Sequence, residues 1–265
     1  MATYRIHPLK VAELTAPVGI LSMGGDMQSL MKAPVYIFFL EGGEKKIVMD
    51  AGISAPDAQG NVHGFPIVGG GEQGIRSALE SVGTAPEEID ILVLSHLHFD
   101  HCAGTSLFRN ARIFVQKKEW KTAFCPVPTA RVYYEQPLFQ SIEQMDLVLI
   151  EGDCPIADGV SSLFLPGHTE GLQGLAVSTA EGTAVLTGDL CYTYYNLNPS
   201  IARMTDLDGV ELSLPPRPDL PFTPPAVHIN LTDWYDSVWK AVSTASRRDL
   251  ILPGHDPALA SRVFG

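Results

Sequence analysis

The amino-acid sequence predicts an α/β protein in which helices cover two sheets. Short runs rich in β-branched and aromatic residues recur along the chain, stretches with helical spacing separate some of them, and elsewhere strand-like runs follow one another directly. Direct succession of strands suits stacked sheets better than one alternating β/α barrel. The 265 residues are enough for one large sandwich or barrel or for two small domains, and no internal repeat at a fixed short period is visible.

Taken in order, strands are expected at Val35 to Glu41, Lys45 to Asp50, Ile89 to Ser95, Arg112 to Gln116, Leu147 to Glu151, Val160 to Leu165, Leu175 to Thr179 and Ala184 to Thr187. Each has strand length and turn residues at its borders. Gly19 to Lys32 reads as a loop before the first clear strand, and it carries Met23, Met27 and Met31. These thioethers suit an adaptable apolar pocket, a homodimer interface or ordinary core packing. Trp120, Phe124, Tyr133, Tyr134 and Phe222 are further pocket candidates. Val62 to Gly74 reads as a lid or a surface connection, because Gly69-Gly70-Gly71 lacks the spacing and the following Lys-Ser/Thr of a phosphate loop. The same two readings apply to the proline-rich stretch 214–225, which suits neither helix nor central strand. The clearest helix is Thr232 to Arg248, with Trp234, Val238, Val242 and Ala245 on one face, Thr232 as N-cap, Asp233 and Asp236 in the first turn and Arg247 and Arg248 at the end.

Composition narrows the function classes. Apolar residues make up 45% and charged residues 18%, which excludes a disordered polyelectrolyte. Thirty acidic against 18 basic residues give a net charge of −12, which repels a phosphate backbone and disfavours nucleic acid as a partner. No apolar run reaches the ~18 to 20 residues of a transmembrane helix, and the first ten residues do not lead into a signal-peptide stretch. A soluble, cytoplasmic protein without a membrane partner is the expectation. The four cysteines, Cys102, Cys125, Cys154 and Cys191, form no CxxC pair and are read as reduced thiols.

The chemistry is concentrated in Leu92-Val93-Leu94-Ser95-His96-Leu97-His98-Phe99-Asp100-His101, an apolar strand running into three histidines and an aspartate. Imidazole and carboxylate suit a divalent metal such as zinc. Residues two apart at a strand end project to one side, so His96 and His98 are expected to grip one ion, with Asp100 and His101 facing a second beyond the strand. His168 in Pro166-Gly167-His168-Thr169, Asp189 in Thr187-Gly188-Asp189 and His255 in Pro253-Gly254-His255 each follow an apolar strand and a glycine turn. Five of the eight histidines thus stand where functional side chains gather on a rigid scaffold.

In that order, and over nearly the whole chain, these residues resemble the metallo-β-lactamase superfamily. The resemblance implies one domain over 1–265, a four-layer αβ/βα sandwich with a proline-rich loop at 214–225 and a dinuclear metal site at one edge. It implies two divalent ions, zinc foremost: one held by His96, His98 and His168, the other by Asp100, His101 and His255, with Asp189 bridging. Asp50 matches the family's early aspartate, which orients a ligand. His98 stands where flavodiiron proteins carry glutamate, and Asp189 where several true β-lactamases carry cysteine, which disfavours both activities. Cys191 is read as an ordinary thiol.

Within the superfamily, Ser95-His96-Leu97-His98-Phe99-Asp100-His101, Pro166-Gly167-His168-Thr169 and the tyrosine three residues after Asp189, Tyr192, resemble the N-acyl homoserine lactonases. Glu170 departs from the proline common at its position. The implied function is opening of a lactone ring, of an N-acyl homoserine lactone or a related lactone, by a hydroxide bridging two ions ~3.5 to 4 Å apart. Tyr192 donates to the developing oxyanion and Asp100 carries a proton to the leaving oxygen. A small lactone or ester is the implied partner. Two alternatives remain at this stage. One is a glyoxalase II-like thioesterase gripping an anionic carrier through Lys117, Lys118 and Lys121. The other is a mononuclear iron oxygenase like persulfide dioxygenase.

Overall fold

The structure is a computed structural model and describes residues 2–265. Its first sheet is built around a long antiparallel pair, β1 (Arg5–Pro17) and β2 (Leu30–Glu41), joined through the helical turn α1 (Val18–Leu21). β3 (Ile47–Met49) continues antiparallel to β2, and a hairpin of β4 (Asn61–Val62) and β5 (Phe65–Gly69) adds to the other side of β1. After α2 (Gly71–Glu80), the strands β6 (Ile91–Val93), β7 (Arg112–Gln116) and β8 (Leu147–Ile150) extend the sheet in parallel. Between them lie α3 (Phe99–Cys102), α4 (Lys117–Phe124) and α5 (Gln136–Gln140). The order is β4-β5-β1-β2-β3-β6-β7-β8.

The second sheet opens with the antiparallel run β9 (Cys154–Ala157), β10 (Val160–Phe164), β11 (Gln173–Thr179) and β12 (Gly182–Leu186). There follow α6 (Tyr194–Leu197), a small hairpin of β13 (Arg203–Thr205) and β14 (Glu211–Ser213), α7 (Leu231–Thr244), and β15 (Ile251–Leu252), which returns parallel to β12.

Period-two alternation sorts the core into layers. Val35, Ile37 and Phe39 of β2 face Ile75 and Leu79 of α2 and Ala123 of α4, while Tyr36, Phe38 and Leu40 face the second sheet. In that sheet Leu175, Val177, Ala184 and Leu186 point back into the shared core, and Ala176 and Val185 face Trp234, Val238 and Ala241 of α7. Helix, sheet, sheet, helix is the four-layer sandwich expected.

All eight expected strands exist, several with shifted ends. The expectation that Gly19 to Lys32 precedes the first strand fails: β1 comes earlier, and Leu30–Lys32 already belongs to β2. Val62 to Gly74 is not a loop but the β4–β5 hairpin and the start of α2. The helix expected at Thr232 to Arg248 starts one residue earlier and stops at Thr244, with Asn230 as its cap accepting the Asp233 N–H at 3.1 Å in place of Thr232. Arg247 and Arg248 lie beyond it, and its buried face is Trp234, Val238 and Ala241, with Val242 and Ala245 only half-buried.

Segment 214–225 is pinned: Phe222 is buried against Trp239, the Thr223 N–H donates to Asn196 at 3.0 Å, and Tyr195 donates to the Pro215 carbonyl. The four cysteines are unpaired. Among the described residues no helix is long and apolar enough to cross a membrane.

Candidate metal centre

Four strand ends deliver the predicted residues to one place. β12 and β15 are parallel neighbours, so the loops that follow them, carrying Asp189 and His255, leave the same edge of the second sheet. His168 follows β10 after Gly167, whose φ is +142° and where a Cβ would stand 2.5 Å from the Trp234 Cα, so only glycine lets this loop close on α7. The strand argument for His96 and His98 needs correction. β6 ends at Val93, so both lie in the loop beyond it, and His98 starts the short α3 that turns Asp100 and His101 toward the second sheet.

Three overlapping groups have ligand atoms within 4.8 Å of one another: His96, His98 and His168; His96, His101 and Asp189; and Asp100, His101 and His255. The hydrogen bonds around the rings assign their protons. Nδ1 of His168 donates to the Val227 carbonyl at 2.8 Å, Nδ1 of His255 to Pro34 at 2.9 Å and Nδ1 of His101 to the Asp50 carboxylate at 2.8 Å. Ser95 Oγ donates to Asp50 at 2.9 Å and so accepts from His96 Nδ1 at 3.0 Å. Each of these four rings therefore turns its Nε2 inward. His98 is reversed, with Nδ1 3.1 Å from His168 Nε2. Nε2 of His96 and of His101 is fully buried and has no hydrogen-bond partner. Buried ring nitrogens that nothing satisfies fit a cation, and the mixed nitrogen and oxygen donor set fits a borderline divalent one.

Asp189 sits between the groups. One carboxylate oxygen lies 3.0 Å from His255 Nε2 and 3.1 Å from His101 Nε2, and the other 3.4 Å from His168 and 3.8 Å from His96. Burial alone would raise its pKa, but the surrounding imidazoles, His101 and His255 foremost, hold it well below the usual carboxylate range. Burial and the neighbouring imidazoles hold His96 and His98 well below the usual histidine value, so both are neutral. Asp50, at φ +68°, receives the Ser95 N–H at 2.7 Å in addition to Ser95 Oγ and His101. A non-glycine residue in the left-handed region beside this cluster is strain retained at a functional site.

Tyr192 is buried with its ring against His168 and His255 at 5.7 and 5.3 Å. Burial, then the Asp189 and Asp100 charges, push its hydroxyl well above the ordinary tyrosine value, so it stays a donor. A cavity of about 60 Å³ opens over Asp100, Asp189, His98, His255 and Tyr192, with apolar walls from Leu14, Ala16, Ile20, Leu21, Ala33, Phe65, Phe99, Tyr133 and Val227. It shares Ile20, Phe65, Tyr133 and Val227 with an adjoining cleft of about 320 Å³ that Met27 also lines.

Of the pocket candidates from sequence, only Tyr133 and Met27 reach these walls. Met31 is core, Met23 is exposed, and Phe222 packs beneath α7. Leu14, Ala33 and Phe65 were missed because they come from β1, β2 and β5 and meet only in the tertiary structure. Cys191 is fully buried among apolar residues, its thiol pushed up by burial, and is no ligand. Lys117 and Lys118 pair with Glu151 and Glu170, and neither they nor Lys121 line the cavity, which removes the cationic grip a thioesterase reading needs.

The metallo-beta-lactamase superfamily model matches residues 31–255. N-acyl homoserine lactonase from Bacillus thuringiensis is 32% identical over 182 residues, spanning 65% of this chain and 70% of the relative. N-acyl homoserine lactonase AiiB from Agrobacterium fabrum is 28% identical over 191 residues, 66% and 69% of the two chains. Among solved structures, an N-acyl homoserine lactone hydrolase with the product N-hexanoyl-L-homoserine at its catalytic metal center superposes with TM-score 0.74 at 24% identity, covering 97% of this chain and 94% of that one. The dizinc quorum-quenching lactonase AidC superposes with TM-score 0.65 at 17% identity, over 97% and 91%. The topology, the converging histidines and these matches agree: the chain belongs to the metallo-beta-lactamase superfamily.

Proposed function

We propose that this protein is a metal-dependent lactonase that opens N-acyl homoserine lactones or related lactones. The observation that carries this reading is Asp189, whose two oxygens face two separate imidazole groups beneath an apolar cavity. His96, His98 and His168 would hold one divalent ion and Asp100, His101 and His255 another, with Asp189 between them and zinc as the first choice of metal. Bound there, the ions supply Lewis acidity toward a carbonyl and lower the pKa of water to about 7.

The remaining work belongs to the chain. The Tyr192 hydroxyl, kept protonated by burial, donates to the lactone carbonyl oxygen as charge develops on it. Asp100, half-buried and 3.9 Å from His255 Nε2, takes a proton from the attacking water and returns it to the ring oxygen as it departs. Leu14, Ile20 and Phe65 exclude water from the reacting ester, and the acyl chain runs toward Met27 in the adjoining cleft.

Zinc titration of the stripped protein tests this reading with a pH-indicator assay on lactones, thioesters and β-lactams. Lactone hydrolysis that rises until two equivalents are bound supports it. Full activity at one equivalent, or turnover confined to thioesters or β-lactams, overturns it.

A further inference from the structure

Glu119 of α4 is fully buried, belongs to none of the ligand groups, and has no lysine or arginine in ion-pair contact among the described residues. Its carboxylate instead accepts four hydrogen bonds. Oε1 receives the Leu97 backbone N–H and the Tyr134 hydroxyl, both at 3.0 Å, and Oε2 receives the Thr169 hydroxyl at 2.7 Å and the Gly171 N–H at 3.2 Å. Leu97 stands between His96 and His98, Thr169 follows His168, and the Tyr134 ring meets His98 edge-on at 4.7 Å. One side chain thus joins the three segments that carry or touch the imidazoles of a single ligand group. Gly171 supports this independently: a Cβ there would lie 2.1 Å from the Glu119 backbone nitrogen, so the loop is pressed onto α4 as closely as glycine allows. A buried carboxylate without a basic partner is an expensive way merely to fill space.

We propose that Glu119 is a positioning residue that sets the spacing of His96, His98 and His168, and with it the affinity of that half of the centre for its ion. The proposal rests on the two-ion reading above. Glutamine cannot replace it. Whichever way the amide is turned, its NH2 faces one backbone N–H, of Leu97 or of Gly171, and one ligand loop loses its acceptor.

Chelator competition on the zinc-loaded protein, read as stepwise release of two ions, is the test. Glu119→Gln is expected to release one ion at a chelator concentration about 10 to 100 times lower, leaving the other unchanged. Thr169→Val and Tyr134→Phe, each removing one donor, should shift the same step by less. The melting temperature of the metal-free forms is measured alongside. Parental affinity for both ions in all three variants overturns the proposal. So does equal weakening of both ions with a lowered metal-free melting temperature, which marks general support of the fold. If Glu119→Gln does not accumulate folded, unshifted release in the two donor variants decides against it. A parent that binds fewer than two ions overturns the two-ion reading and this proposal with it, whereas a two-ion parent with unaltered variants overturns this proposal alone.

Discussion

Asp50→Asn isolates one hydrogen-bonded link without disturbing the backbone around it. Asparagine tolerates the left-handed conformation at φ +68° at least as well as aspartate, so strain is neither added nor released. The wild-type carboxylate satisfies three donors, Ser95 N–H on one oxygen, and Ser95 Oγ–H and His101 Nδ1–H on the other. With the amide oxygen kept on Ser95 N–H, the new NH2 opposes His101 Nδ1–H. His101 then loses its acceptor, or it changes tautomer and presents a proton where an ion needs a lone pair. With the amide turned, Ser95 N–H is left unpaired in the interior. One unsatisfied buried donor costs about 1 to 3 kcal/mol, or about 5- to 150-fold in an equilibrium constant. The ion proposed at Asp100, His101 and His255 should therefore weaken by that factor in chelator competition, with lactone kcat/KM falling in parallel at limiting zinc. Unchanged affinity for both ions and a kcat/KM within twofold of the parent would refute the reasoning.

Tyr192→Phe keeps the ring packed between His168 and His255 and removes only the hydroxyl, so kcat/KM on lactones should fall by as much as about 10²- to 10³-fold at unchanged metal content; a parental value excludes the oxyanion role. Trp234→Ala empties a fully buried site and deletes the indole N–H bond to the Leu190 carbonyl at 2.7 Å, so denaturant unfolding of the metal-free protein should show a loss of about 3 to 5 kcal/mol, and a loss under about 1 kcal/mol would contradict the assigned packing. Glu87 is held down to about 2 by the two-pronged Arg76 contact at 2.7 and 3.0 Å. A depressed carboxylate stabilises above its unfolded value of 4.5 and stops doing so as pH falls through 2, so the melting-temperature gap between parent and Glu87→Gln should shrink across that window. A gap that does not change with pH would argue against the ion pair.

The candidate metal residues were legible because His-x-His-x-Asp-His, two Gly-His pairs and a Gly-Asp each follow an apolar strand, and that pattern does not depend on which face of a strand is buried. Strand alternation does not account for His96 and His98, since β6 ends at Val93. β1 was invisible for a physical reason. Its register slips between Lys10 and Ala12, so Val11 breaks the period of two, and Pro8 falls on a stretch that β5, paired only to Ala12, Glu13 and Leu14, does not reach. Glu119 could not have been singled out either, because a lone glutamate amid Lys117, Lys118 and Lys121 reads as a solvated helix face until the fold buries it.

The Gly254 N–H donates to Cys191 and the His255 N–H to Tyr192, both at 2.8 Å, which stitches the loop bearing the last histidine to the loop bearing the tyrosine. Any drift of Tyr192 to admit a bulkier ring would drag His255 with it. On the lactonase reading, variation in substrate size is therefore expected on the opposite bank, where Ile20, Met27 and Phe65 line the cavity and the adjoining cleft.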